Sequence, residues 1–414
     1  MASVSLSRRF EPAKLMRLAD GLAVATAISV PWSTSATLIL MALWLIALIP
    51  TLSWAEVRRE LLTPAGGLPV LLVVLGVAGM LWADVSLHER WKGLDSFLKL
   101  LVIPLLFIQF RRSDNAERVL GGFALSCVVL LVASYVMVLW PHPVRLFSND
   151  FGVPVKSGPS QSGEFVTCIF GFTYLAYDAV VRRQWRWMFA LAFVMLAMLA
   201  NILFVATSRT ALLIIFVLLA LFALKQLRWR DTLILFAATA ALLVVAWFSS
   251  PYLRERTTQA WTDYQSYVAS DARNSSGERI EFAKRSIAFI KEAPFIGHGT
   301  GTIPSLFAKA TAGQDGAMGS MTTNPHNQTF AVAIQLGLLG ALVLWAMWLA
   351  HLWLFRSGGL IEWIGLVLVV QNIVGSLLNS HLFDFLQGWI YVIGVGVAGG
   401  AALKRRAADT QRTP

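Results

Sequence analysis

The sequence predicts an all-α protein that crosses a membrane many times, with about twelve transmembrane helices. Of its 414 residues, 57% are hydrophobic and only 14% are charged, whereas a soluble domain normally carries about a quarter charged residues. The 16 tryptophans agree with this class, because Trp and Tyr gather at the two membrane–water interfaces. The formal charge of +11 comes from Lys and Arg scattered in short loops, so it does not indicate a nucleic-acid partner.

A transmembrane helix needs about 20 mainly apolar residues, and the chain contains twelve candidate segments. They lie near residues 16–33, 34–53, 67–83, 94–110, 118–140, 161–181, 187–206, 209–225, 231–249, 327–355, 359–380 and 383–403. The segment 161–181 is the least regular, because it contains Glu164 together with Ser and Thr. It is either a spanning helix or a helix buried within the bundle.

The positions of the basic residues support this arrangement, because Lys and Arg collect in the loops on the cytoplasmic side. They follow every second segment, at Arg58, Arg59, Arg111, Arg112, Arg182, Arg183, Arg186, Lys225, Arg228, Arg230, Arg356, Lys404, Arg405 and Arg406. Arg8, Arg9, Lys14 and Arg17 precede or begin the first segment. We therefore expect both termini in the cytoplasm, and we interpret the N-terminus as retained rather than cleaved.

A long hydrophilic segment between the ninth and tenth apolar segments is then expected on the outer side of the membrane. The chain divides into helices one to nine at 1–249, the outer loop at 250–325, helices ten to twelve at 326–403, and a basic cytoplasmic tail at 404–414. Within the loop, a short amphipathic helix is predicted on the bundle or at the membrane surface. Its apolar line is formed by Ile280, Ala283, Ile287 and Ile290, and Pro294 ends it.

The run F-I-G-H-G-T-G-T follows this helix, and Gly297, Gly299 and Gly301 predict a tight turn there. It has no phosphate-loop pattern and lies on the side without ATP, so nucleotide binding is not indicated. Cys127 and Cys168 both lie in apolar segments, which gives no disulfide framework or zinc site. The outer side also has no close carboxylate cluster, so neither a metal nor another cofactor is expected.

Two arginines are candidates for binding an anionic ligand on the outer side. Arg209 lies at a turn between two apolar segments, where an Arg near bilayer depth costs about 2.5–3.5 kcal/mol on insertion scales. Arg279 begins the amphipathic helix. Guanidinium groups bind phosphate oxygens bidentately and stay protonated, so the pair would suit a pyrophosphate. Alternatively, Arg209 extends to a lipid headgroup and Arg279 pairs with Glu278 or Glu281. Arg273 is a further candidate.

Two histidines and one acid complete the candidate residues. His326 follows Pro325 at the start of the tenth segment, where its imidazole could act as a general base or merely as a helix-terminal hydrogen-bonding group. His298 lies between glycines on the same side. Asp384, at the outer start of the last segment, could orient an imidazole, balance an arginine, or be an acid favoured by the helix dipole.

In their order and spacing, these motifs resemble the O-antigen ligase/polymerase superfamily of bacterial envelope enzymes, which implies a GT-C-like fold. The matching motifs are S-R-T-A-L-L at Arg209, G-E-R at Arg279, P-F-I-G-H-G-T-G, and P-H-N-Q-T-F followed by Q-L-G-L-L-G. Members of the superfamily take a glycan from undecaprenyl diphosphate and place it on a hydroxyl. The resemblance implies that Arg209 and Arg279 hold the diphosphate, that His326 activates the acceptor, and that Asp384 belongs to the site.

From this resemblance we expect a metal-independent, inverting glycosyltransferase of the bacterial inner membrane with a periplasmic active site. Its donor would be undecaprenyl-diphosphate-linked O-antigen, and its acceptor a sugar hydroxyl of the lipid A core oligosaccharide. An O-antigen polymerase or a protein O-oligosaccharyltransferase would use related chemistry. A transporter or flippase for a lipid-linked glycan is an alternative of another class, which predicts polar residues at mid-membrane depth.

Overall fold

The computed structural model describes residues 12–140, 150–249 and 251–412, and these ranges contain α-helices and short 3-10 turns but no β-strand. The expected cytoplasmic residues Arg8 and Arg9 lie outside the described residues. The helices are α1 (Pro12–Ser29), α2 (Thr34–Leu48), α3 (Trp54–Leu61), α4 (Pro64–Gly79), α5 (Leu87–Leu98), α6 (Val102–Arg112), α7 (Ala116–Leu139), α8 (Gly158–Val181), α9 (Trp185–Phe204), α10 (Arg209–Gln226), α11 (Trp229–Ser249), α12 (Pro251–Ser270), α13 (Ser275–Glu292), α14 (Ile303–Thr311), α15 (Gln328–Leu354), α16 (Leu360–Ser376) and α17 (Phe385–Arg412).

The all-α, multi-span class is confirmed, but the count of twelve is not. Among the described residues, eight helical stretches are long and apolar enough to cross a membrane, or nine if α3 and α4, which are bent by 87°, form one span. All twelve predicted segments coincide with helices. However, α16 has only 17 residues, and α1 carries Lys14, Arg17 and Asp20. The Asp20 carboxylate accepts hydrogen bonds from Gln109 and Ser113, so its polarity is satisfied inside the bundle.

The bundle has an interior layer and a lipid-facing layer. In the most apolar part of α17, 83% of the residues are buried, and the corresponding share is 67% for α15 and for the broken helix formed by α5 and α6. In α9 it is only 17%, because apolar side chains such as Phe193 point outward. Helices that are apolar on all sides need lipid around them. The outer segment packs on the interior helix α15 through α13 and α14.

The outer segment contains three helices, α12 to α14, and α13 packs on the bundle against α15. The predicted helix exists, but of its predicted apolar line Ile287 is 44% exposed and Ile290 is only partly buried. Phe282 and Phe289 are buried instead, and both rings contact Phe307 of α14 edge-on. Aromatic rings bury more apolar area than isoleucine or alanine, so they determine the orientation of the helix.

The glycine-rich run forms the predicted turn, and backbone hydrogen bonds connect this turn to α15. Gly299 has φ +97°, and its N–H donates to the Gln335 carbonyl at 2.9 Å, while His298 N–H donates to Ile334 at 2.9 Å. Opposite the turn, α15 is broken at Gly337, where φ is +65°. Leu338 N–H there donates to Pro294 at 2.7 Å. The turn thus bonds backbone groups that the break removes from the α15 ladder, and it fixes α13 relative to α15.

Candidate functional site

Four elements bring polar side chains together at one end of the bundle: the starts of α10 and α13, the loop before α15, and the loop between α16 and α17. Arg209 is the first residue of α10, which Ser208 caps by accepting a hydrogen bond from Ala211 N–H. Arg279 lies in α13, which Asn274 caps in the same way through Gly277. Capping residues of this kind fix where a helix begins. They therefore fix the positions of both arginines.

The two arginines are neighbours, and neither is paired with an acid in the described part of the chain. Partial burial, and next the positive charge of Arg209, lower the pKa of the Arg279 guanidinium. Glu278 instead pairs with Arg273 at 3.1 Å, and Glu281 pairs with Lys284 at 2.9 Å. The alternative pairing of Arg279 with either glutamate is therefore not formed. Two adjacent like charges without a counter-charge repel each other, which an anionic ligand would relieve.

The His326 ring is held on both its face and its edge. The backbone of His326 has φ +53°, a conformation that histidine adopts more readily than most residues. Its N–H donates to Asn324 Oδ1 at 2.9 Å, and its ring stacks on Phe282 with centroids 5.9 Å apart. The Nδ1 atom lies 3.1 Å from Asn379 Oδ1.

The orientation of Asn379 determines which nitrogen of His326 carries the proton. Asn379 Nδ2 donates to Asp384 Oδ2 at 3.0 Å, which turns Oδ1 toward the histidine. Asn324 Nδ2 donates to the same Oδ1 at 3.0 Å. Because an amide oxygen only accepts hydrogen bonds, His326 Nδ1 must be the protonated nitrogen of the neutral ring. His326 Nε2 is then the atom with a free lone pair.

The charges around His326 favour its neutral form. Burial and the nearby positive charge of Arg279 lower the pKa of His326. The hydrogen bond to Asn379 and the charge of Glu278 oppose this shift but do not cancel it. At neutral pH the imidazole is therefore unprotonated on Nε2, as a general base must be.

The Asp384 carboxylate is linked to the His326 ring through Asn379. Burial raises the pKa of Asp384 to about 6, although the charge of Lys99 opposes the shift. The ammonium of Lys99, itself 9% exposed, donates to the backbone carbonyls of Phe383 and Asp384 at 3.1 and 2.9 Å. Lys99 thereby fixes the turn that carries Asp384 and Asn379.

Two predicted candidates lie away from this cluster. His298 Nε2 bonds the Phe289 carbonyl at 2.9 Å, near the end of α13 opposite to Arg279. Ten residues of α-helix separate Phe289 from Arg279, or about 15 Å at the usual rise. Arg273 is exposed at the surface and contacts the site only through its partner Glu278. His298 therefore belongs to the packing of the glycine-rich turn.

Several residues of the cluster were not identified from the sequence. Asn324 and Asn379 are neutral amides in loops, which carry no distinctive pattern. Phe282 was assigned no role. Lys99 had a usable signal, since a lysine inside an apolar segment usually has a function or a buried partner.

Fold and site together define a polytopic α-helical membrane protein that presents adjacent arginines and an oriented histidine at one end of its bundle. Residues 192–345 match the family model described as O-antigen ligase, so this part of the chain is similar to O-antigen ligases. The match includes Arg209, Arg279 and His326, whereas Asn379 and Asp384 lie beyond it. No curated protein matches the chain. In the described residues, no group of three or more His, Cys, Asp or Glu is arranged to hold a metal ion.

Proposed function

We propose that this protein is an O-antigen ligase of the bacterial inner membrane. It transfers O-antigen polysaccharide from undecaprenyl diphosphate to a sugar hydroxyl of the lipid A core oligosaccharide, on the periplasmic side. The observation that carries the proposal is a pair of arginines that have no acidic partner among the described residues, beside a histidine whose Nε2 is free. The family match over residues 192–345 supports the substrate class, because it implies a lipid-linked polysaccharide.

Arg209 and Arg279 bind the diphosphate of the donor in this mechanism. Guanidinium–phosphate hydrogen bonds are charge-assisted and can be bidentate. As the glycosidic bond breaks, negative charge grows on the departing phosphate oxygen, and fixed positive charges stabilise that charge in the transition state. The leaving diphosphate then needs no proton, so the chemistry proceeds with arginines in place of a metal ion.

His326 is the general base. Its Nε2 takes the proton of the acceptor hydroxyl while the hydroxyl oxygen attacks the anomeric carbon from the face opposite the diphosphate. The new carbon–oxygen bond forms as the bond to the phosphate oxygen breaks, which inverts the configuration at that carbon. Asn379, held by Asp384, keeps the proton of the resting imidazole on Nδ1 and orients the ring.

The direct test is transfer by the purified protein. Undecaprenyl-diphosphate-linked polymer and lipid A core are supplied with EDTA, and the product is analysed for polymer joined to core. We expect joined product, with no change on chelation. If lipid-linked repeats lengthen while core stays bare, the protein is a polymerase. If folded protein binds donor and forms neither product, the enzyme hypothesis fails and transport becomes the alternative.

A further inference from the structure

A polar cavity of about 370 Å³ lies next to the candidate site and shares Asn379 and Asp384 with it, whereas its other lining residues have no role in the mechanism above. Its walls come from the starts of α2, α8 and α17 and from the loop between α16 and α17. The lining polar residues are Thr34, Lys156, Ser157, Ser160, Asn379, His381, Asp384 and Gln387. Asn379 contacts both His326 and Asp384, so the cavity begins one side chain away from the imidazole.

Gln387 and His381 are the informative side chains of this cavity. Each is only 8% exposed, and neither side chain has a hydrogen-bond partner among the described residues. His381 Nδ1 is fully buried against Gly375. More than nine in ten buried polar groups in proteins are hydrogen-bonded, and an unbonded one is costly. His381 Nδ1 faces Gly375 and not the cavity, whereas Gln387 lines the cavity, so a ligand there is a source of the bonds that the glutamine amide lacks.

The second turn of α8 holds Gln387 in this position. A Cβ at Gly163 would lie 2.1 Å from Gln387 Nε2 and 2.9 Å from its Cδ, so the amide packs directly on the glycine backbone. Only glycine leaves this room. The glutamine amide is therefore held at the cavity wall by packing rather than by a hydrogen bond within the protein.

The side chains that line the cavity differ chemically from the arginine pair. The cavity offers hydroxyls from Ser157 and Ser160, amides from Asn379 and Gln387, and the ring of Phe385. One ammonium, Lys156, and one carboxylate, Asp384, leave no excess of positive charge. Lys156 already donates to the Val30 carbonyl. Such a surface fits a ligand with many hydroxyl groups, whereas a diphosphate would prefer the two unpaired arginines.

We propose that this cavity is a subsite for a sugar residue next to the reacting one, with Gln387 as a specificity-determining residue. The inference rests on the proposed transfer reaction and identifies where one of its sugars binds. The volume of the cavity is at the lower end of the range of about 300–1,000 Å³ typical of small-molecule sites. Because His326 does not line it, the bound sugar is a neighbour of the reacting sugar. The sugar can belong to the acceptor or to the donor, and both present the same hydroxyls.

The test compares Gln387→Met with Gln371→Met in steady-state transfer, with KM measured separately for donor and acceptor. Gln371 is also a buried glutamine, but it bonds Thr167 and the Gly163 carbonyl within the protein. Gln387→Met is expected to raise one KM about 3- to 10-fold, the effect of one or two neutral hydrogen bonds, and to keep its thermal midpoint. Gln371→Met is expected to lower the thermal midpoint and leave both KM values unchanged.

Each outcome of this comparison has a distinct meaning. A higher KM for core alone assigns the sugar to the acceptor, and a higher KM for the lipid-linked glycan alone assigns it to the donor. Unchanged KM values for both substrates would overturn the subsite. A fall in kcat alone would also overturn it, because it would assign Gln387 to the residues that orient His326, together with Asn379 and Asp384. Ser160→Ala provides a second variant if Gln387→Met does not fold. Absence of transfer by the unaltered protein would instead reject the proposed reaction.

Discussion

At the scale of single residues, the chemistry of His326 depends on three side chains that are distant in sequence. Asn379 Oδ1 accepts a hydrogen bond from His326 Nδ1–H, Phe282 supports the face of the ring, and Arg279 disfavours its protonated form. These neighbours come from α13 and from the loop between α16 and α17, so the histidine is a base only in the folded protein. Its protonation state should therefore respond to changes in these partners.

The Arg279→Gln variant tests this electrostatic link. Removing the positive charge makes protonation of His326 easier, so the pKa of His326 should rise. Activity requires the neutral ring and is lost as pH falls through that pKa. The acidic limb of kcat/KM, measured from pH 4.5 to 8 on the residual activity, should therefore move to higher pH. Lys291→Gln, on the same helix, serves as the control. If the acidic limb does not move in Arg279→Gln, this result would contradict the electrostatic interaction between Arg279 and His326.

The four residues Arg209, Arg279, His326 and Asp384 could be selected from the sequence because charged or titratable groups at membrane edges are rare. Their spatial relation could not be read from spacing, since they come from separate elements. Asn379 illustrates the limit most clearly. A loop asparagine has no pattern of its own, and its role depends on the contacts that Asp384 and His326 make with it.

At the scale of elements, the glycine-rich turn and the break in α15 are one structural unit. The motif F-I-G-H-G-T-G-T and the motif Q-L-G-L-L-G are separated by more than thirty residues in the sequence, yet their backbones hydrogen-bond to each other. Each motif read alone predicts only a turn or a flexible helix. The hydrogen bonds between the two motifs explain why both glycine-containing motifs occur in one chain. They also hold α13, and therefore Arg279, in place.

The Gly337→Ala substitution should destabilise this unit strongly. At Gly337 φ is +65°, and a Cβ would lie 2.2 Å from the Phe295 carbonyl oxygen. Strained backbone together with this clash should cost about 2 kcal/mol or more. Gly21→Ala is the matched control, because a Cβ there meets nothing within 4 Å. It should be neutral or stabilise by up to about 1 kcal/mol. Thermal unfolding in detergent measures both, and equal midpoints would refute the account of the break.

At the scale of the whole molecule, every apolar segment selected by hydropathy coincides with a helix. Hydropathy did not, however, give the number of membrane spans. The Asp20 carboxylate of α1 is hydrogen-bonded within the bundle, and α3 and α4 meet at 87°. Hydropathy counts residues one at a time, whereas these helices are accommodated by contacts with neighbours. The same limitation explains the buried face of α13, which aromatic packing on α14 decides.

The expected topology can be tested with single cysteines. Both native cysteines are buried, so they should react little with a membrane-impermeant maleimide. Asp315→Cys lies in the outer segment and Ser357→Cys in the loop before α16, both at exposed positions. In intact spheroplasts only Asp315→Cys should be labelled, and both should be labelled after lysis. Labelling of Ser357→Cys in intact spheroplasts would contradict the predicted orientation.

The most direct test of the account separates binding from chemistry at the site. Donor affinity and single-turnover transfer are measured for His326→Ala and for Arg279→Gln, each confirmed to be folded. His326→Ala should bind donor normally and lose about 10²- to 10⁴-fold in rate, the usual contribution of a general base. Arg279→Gln should weaken donor binding by about 10- to 100-fold, the effect of lost charge-assisted hydrogen bonds. Transfer by His326→Ala within a few-fold of the unaltered protein would contradict the assignment of His326 as the base.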